Sequence, residues 1–257
     1  MTRLLDLDPE VASFSARPGS RTAVLVSHGF TASPQSVRLW AEAFAAAGFD
    51  VSAPRLPGHG TTVADCNTTT WADWLGALRA ELRRLAADHD RVVVAGISMG
   101  GALCLRLAEL HPEAVAGVVL ANPAVRLDPL RTAAVTVLGR TLPSWPAIAG
   151  DQKNPARPVR AYDRTPLRAL VSSTGGWRDT RRDLALVTQP VLLLRSRVDH
   201  VVPALSSATV LRGISSIDVT EVVFEESFHE ITCDGEHLEV ERLSVEFVRR
   251  LDASPAT

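Results

Sequence analysis

The chain has 257 residues, 46% of them hydrophobic and 22% charged, with a formal net charge of −2. That is enough apolar material for a large core and enough charge for solubility, so one globular catalytic domain is expected. The near-neutral balance gives no electrostatic reason to bind a phosphate backbone or an anionic membrane surface, and nucleic acid is set aside as a partner.

Met1 to Arg21 carries Asp6, Asp8 and Glu10 where a secretory signal needs a basic start and a continuous apolar run. No uninterrupted apolar stretch reaches the roughly 18 residues of a spanning helix. The expectation is a cytoplasmic protein with no integral membrane segment. Thr22 to Ser27 reads as the first strong strand and leads into Ser27-His28-Gly29-Phe30-Thr31. Pro34 to Ala47 has helical spacing, with Val37, Trp40, Ala41, Phe44 and Ala45 on one face and Gly48 as its stop. A strand at Asp50 to Ala53 follows, then a helix from Trp71 to Ala87 with Thr70 as its N-cap and Trp71, Trp74, Leu75, Leu78, Leu82 and Leu85 as its buried stripe.

Arg91 to Ala95 is apolar continuously over its last four residues instead of alternately, as in a parallel sheet covered on both faces. A helix from Met99 to Leu110 ends before Pro112, and strands follow at Gly117 to Ala121, Val191 to Arg195 and Thr220 to Phe224. A last helix spans about His237 to Leu251. Between Val125 and Arg182 the βαβ rhythm breaks: Pro, Gly, Ser, Thr and Arg are frequent and no convincing strand appears. Because this stretch follows a strand end, where α/β folds place ligands, it reads as a small cap insertion over an active site. Its apolar Trp145 and Ile148 are candidates to touch lipid or a second subunit. Cys66, Cys104 and Cys233 are odd in number and lack C-x-x-C spacing, so they read as plain thiols.

Chemistry concentrates at Gly96-Ile97-Ser98-Met99-Gly100, placed after a predicted strand and opening a predicted helix. This is the context of a nucleophile elbow, in which the glycines permit a turn too tight for side chains and Ser98 stands at its apex. A serine hydroxyl needs a base to take its proton and a third group to orient that base. Asp199, after the strand ending at Arg195, and His229, after the strand ending at Phe224, supply them in the order Ser, Asp, His. All three lie at carboxyl ends of strands and can converge. Backbone N–H groups of Met99 and Phe30 are the candidate oxyanion donors, and His28 is taken as structural. His200 shares a loop with Asp199, while His89, His111 and His237 read as solvated or capping residues. Asp163 and Asp179 lie away from a strand end. No H-E-x-x-H, phosphate loop or acidic cluster calls for a metal or cofactor, and none is expected.

These motifs resemble the α/β-hydrolase superfamily, and within it the small bacterial carboxylesterases and thermostable monoacylglycerol lipases. The matching residues are H-G-F-T at His28 to Thr31, P-R-L-x-G-H-G-T at Pro54 to Thr61, G-x-S-M-G-G at Gly96 to Gly101 and D-H-V-V-P at Asp199 to Pro203. Lys153-Asn154-Pro155 and Ala161-Tyr162-Asp163-x-Thr165-Pro166 extend the likeness into the insertion. The resemblance implies a mostly parallel central sheet flanked by helices and a small cap within a single domain. It also implies an acyl-enzyme on Ser98 with His229 as base, Asp199 as its partner, and Phe30 and Met99 as oxyanion donors. The substrate would be a small-molecule ester, either a monoacylglycerol or a short- to medium-chain ester. In that group an acidic cap residue holds the glycerol hydroxyls, and Asp163 stands at the matching position, one carbon shorter than the expected Glu. Thioesterase or peptidase chemistry on the same triad and a non-catalytic binding protein remain alternatives. A monomer is expected, with a dimer left open.

Overall fold

A computed structural model describes residues 10–147 and 150–253. The strands are β1 (Phe14–Ala16), β2 (Thr22–Ser27), β3 (Asp50–Ala53), β4 (Arg91–Ile97), β5 (Gly117–Ala121), β6 (Ser144–Pro146), β7 (Arg164–Pro166), β8 (Val191–Ser196) and β9 (Val219–Phe224). Seven of them form one sheet in the order β1-β3-β2-β4-β5-β8-β9. Only β1 runs antiparallel to its neighbour, pairing Phe14 with Ala53 and Ala16 with Val51. Every other pairing in that sheet is parallel.

The continuous apolar runs are explained by two cores, one on each face. In β2, Ala23 and Leu25 join one core while Val24 and Val26 join the other; β4 divides Val92 and Val94 from Val93 and Ala95 in the same way. Successive side chains of a strand point to opposite faces, so a strand covered on both faces is mostly apolar instead of alternating, with Thr22, Ser27, Asp50 and Ser52 as buried polar exceptions. The first face is covered by α3 (Trp71–Asp88), α4 (Met99–Leu110) and part of α6 (Leu167–Asp183). The second is covered by α1 (Arg38–Ala46) and α8 (His237–Asp252), through Trp40, Phe44, Val240, Phe247 and Val248. At the start of α3 the Thr70 backbone N–H donates to the Asp73 carboxylate at 2.8 Å, closing the predicted cap.

The expected strands are recovered, β4, β8 and β9 each running slightly longer than read. The expectation of no strand between 125 and 182 is corrected: β6 and β7 pair antiparallel there, Trp145 opposite Thr165. Two helices also lie in this stretch, α5 (Pro129–Leu138) and α6. The short α2 (Val63–Cys66) and α7 (Leu205–Gly213) complete the helices. The helix expected over Pro34 to Ala47 begins as a tighter turn at Pro34–Val37 before α1. Ile148 lies outside the described residues. All three cysteines are buried and unpaired.

Candidate active site

Ser98 joins β4 to α4 with φ 54° and ψ −119°, a conformation side chains adopt at a cost and keep where the surroundings dictate it. Its N–H donates to the Ala121 carbonyl at 2.9 Å, and its carbonyl accepts from Ala124 N–H at 2.9 Å. A Cβ on Gly96 would overlap the Gly100 carbonyl, and one on Gly100 would overlap the carbonyls of Ser27 and His28. The elbow glycines are therefore required by backbone crowding. The facing loop is as close: a Cβ on Gly29 would sit 3.4 Å from the Ser98 Cβ.

That loop is held by His28, fully buried, whose Nδ1–H donates to the Gly29 carbonyl at 2.9 Å while Nε2 accepts from Leu56 N–H at 3.2 Å. Burial, aided by His59, pushes its pKa down to about 3, so it stays neutral with a fixed tautomer. Phe30 packs against His59 and Trp74, with ring centroids 5.9 and 5.7 Å away.

His229 and Asp199 meet on the other side. Nδ1 of His229 lies 2.7 Å from Asp199 Oδ2, and Asp199 Oδ1 accepts from the N–H groups of Val201 and Val202 at 2.8 and 2.7 Å. The carboxylate is thereby fixed as a pure acceptor, which orients the imidazole through Nδ1–H and leaves Nε2 for proton transfer. Burial alone would push the His229 pKa down; the Asp199 charge, with Glu230 and Asp151 near, outweighs it and the net shift is upward.

Ser98, Met99, Phe30 and His229 line one cavity of about 430 Å³, within the size range of small-molecule sites. Its wall is mostly apolar, with Leu127, Leu138, Trp145, Leu170 and Trp177 supplied by the insertion. Asp163 is not brought there. It is exposed just before β7, outside the lining, and its carbonyl accepts from Ala147 N–H at 3.1 Å. The other rivals are engaged elsewhere: His200 with Asp151, His89 with Asp50, His111 with Arg79, and Asp179 with Arg182.

Three residues the sequence reading passed over shape the site. Asn122, at φ 42°, donates to the His229 carbonyl at 2.8 Å and accepts from Ser196 N–H at 2.9 Å. Asp151, from the insertion, accepts through Oδ2 from the N–H groups of His229 and His200, both at 3.2 Å, and its Oδ1 lies 2.8 Å from His200 Nδ1. Asp234 accepts from the N–H groups of Lys153, Asn154, Phe228 and Gly235 at 2.6 to 2.9 Å. Lys153-Asn154-Pro155 stood out in the sequence, but side chains that bind mainly backbone leave no spacing signature.

A parallel sheet, a serine at its strand-to-helix elbow and an Asp-supported histidine on the same cavity define the class: an ester hydrolase of the α/β-hydrolase fold. The chain belongs to the family described as Hydrolase_4, serine aminopeptidase S33, whose model matches residues 18–236. It is 37% identical over 225 residues to a thermostable monoacylglycerol lipase of Bacillus sp. (strain H-257), covering 87% of this chain and 89% of that protein. It is 24% identical to a carboxylesterase of Bacillus subtilis (strain 168), covering 91% and 95%. A solved structure from a study of two metagenome-derived lipolytic enzymes, LipS and LipT, superposes with a TM-score of 0.90 at 36% identity, covering 94% of this chain and 98% of that one.

Proposed function

We propose that the protein cleaves monoacylglycerols and related small esters through an acyl-enzyme on Ser98. The Ser98 oxygen attacks the ester carbonyl carbon as His229 Nε2 takes its proton, and Asp199 stabilises the imidazolium. The carbonyl oxygen, now negative, is held by the backbone N–H groups of Phe30 and Met99 at the start of α4. Collapse of the tetrahedral intermediate breaks the ester C–O bond, and the leaving alkoxide takes the proton from His229. Water, deprotonated by His229, then releases the fatty acid. Residues 125–182 act as a cap within a single domain and shape the acyl site. The observation that carries this reading is the elbow serine in the same largely apolar cavity as the His229–Asp199 pair.

Asp163, exposed and outside the lining, is not placed against substrate in this reading. Among the described residues no helix is long and apolar enough to cross a membrane. The test is hydrolysis of 1-monolauroylglycerol by wild type and Ser98→Ala. We expect kcat to fall by about 10⁴-fold or more in the variant. Equal activity of the two proteins would refute the assignment of Ser98.

A further inference from the structure

Glu230 follows the base His229 directly and lies in the cavity wall. Its backbone is fixed from both sides: its N–H donates to the Asp151 carbonyl at 3.1 Å and its carbonyl accepts from Cys233 N–H at 3.0 Å. Its carboxyl differs from the other polar groups near it. Both oxygens of Asp151 are engaged by His200 and the His229 N–H, and the Thr31 hydroxyl donates to the Phe30 carbonyl at 2.6 Å. No hydrogen bond or ion pair to the Glu230 carboxyl is found among the described residues. Burial raises its pKa; the His229 imidazole opposes this, while the carboxylates of Asp199, Asp151 and Asp234 add to it. Glu230 is half-buried, and a carboxyl at the cavity wall that no protein group bonds is open to a ligand's hydrogen-bonding groups.

The reaction itself says which part of a substrate meets this group. His229 must protonate the departing alkoxide, so the alcohol oxygen comes within hydrogen-bond reach of the imidazole and the alcohol moiety borders the residue beside it. The acyl chain takes the apolar wall. A carboxyl can accept from an alcohol hydroxyl when charged and both accept and donate when neutral.

We propose that Glu230 reads the alcohol side of the substrate, selecting esters whose leaving alcohol keeps a free hydroxyl over esters of plain alkyl alcohols. This rests on the ester-cleaving reading of the same cavity. A site built to bond a hydroxyl discriminates against analogues lacking it, because its own polar group is then left unpaired.

The experiment compares kcat/KM for 1-monolauroylglycerol with that for methyl laurate in wild type, Glu230→Gln and Glu230→Met. Both esters need the same neutral His229, so any change in its pKa cancels in the ratio. We expect wild type to prefer the glycerol ester, the ratio to fall about 10-fold or more in Glu230→Met, and Glu230→Gln, which keeps hydrogen-bonding capacity, to retain part of the preference. Cleavage of both esters with the same ratio in all three proteins would overturn the role of Glu230 while leaving ester cleavage standing. Failure of wild type to cleave either ester would overturn both.

Discussion

Asp151 makes its contribution without touching Ser98. One carboxylate holds the backbone of His229 and that of His200, the neighbour of Asp199, so a residue of the insertion joins the two loops that carry base and acid. Its charge also helps to raise the His229 pKa. Catalysis needs the neutral imidazole, so activity rises with pH through that pKa. Removing a nearby negative charge destabilises the imidazolium, and Asp151→Asn is expected to move the acid limb of the kcat/KM profile to lower pH. An unmoved limb would confine Asp151 to a structural part. For Glu230 the sign concerns stability. An acid whose folded pKa is raised contributes most below its unfolded value, about 4.5, and that contribution is lost as pH rises through the folded value. The Tm advantage of Glu230→Gln over wild type should therefore grow from pH 5 to pH 8. Ser98, Asp199 and His229 stood out in the sequence as candidates because acyl transfer restricts residue type, chain order and place at a strand end, and the structure brings Ser98 and His229 to one cavity with Asp199 bonded to His229. Asp151, Asn122 and Asp234 did not stand out, since a side chain bonded mainly to backbone N–H or carbonyl groups has few partner residue types to search for.

Legibility of the elements follows burial. Thr22–Ser27, Asp50–Ala53 and Gly117–Ala121 are buried at every position, and within them residues 23–26 and 118–121 stand out as apolar runs. The three-residue β1 has a mixed pattern with no period to detect. Helix α6 was hidden by Ser172-Ser173-Thr174-Gly175-Gly176, whose composition reads as a turn. Packing against α3 overrides that propensity. A Cβ on Gly176 would overlap the Trp71 ring, so the glycine that weakens the helix locally is what lets it approach α3. Trp71 N–H also donates to the Ser172 hydroxyl at 3.0 Å across the same contact. Gly176→Ala improves helix propensity by about 1 kcal/mol and still should destabilise the protein, since forcing atoms into a packed contact costs about 1–3 kcal/mol. Urea unfolding measures the balance, and a net stabilisation would mean that the contact yields easily.

Across the molecule, residues 125–182 are fastened to the loops around them by polar side chains that bind main chain. Asp234 clamps Lys153 and Asn154, Gln35 bonds the Pro158 carbonyl and Arg160 N–H, and the Tyr162 hydroxyl donates to the Gly58 carbonyl at 2.7 Å while accepting from Thr61 N–H at 2.9 Å. Asp234 is fully buried and also holds Phe228, the residue before His229. Asp234→Ala leaves four N–H groups without their acceptor, and we expect a loss of about 3 kcal/mol or more in urea unfolding together with a lower kcat. Full kcat in a destabilised variant would separate the clamp from catalysis. Tyr162→Phe keeps the ring and removes the hydroxyl's hydrogen bonds to Gly58 and Thr61, for an expected loss of about 1–3 kcal/mol. The bonds from Asp234 and Gln35 ignore which side chains Lys153, Asn154, Pro158 and Arg160 carry, whereas those of Asp151 and Tyr162 depend on their own side chains. The lining residues Leu138, Leu170 and Trp177 take no part in these hydrogen bonds, so exchanging them would reshape the cavity while the attachment endures.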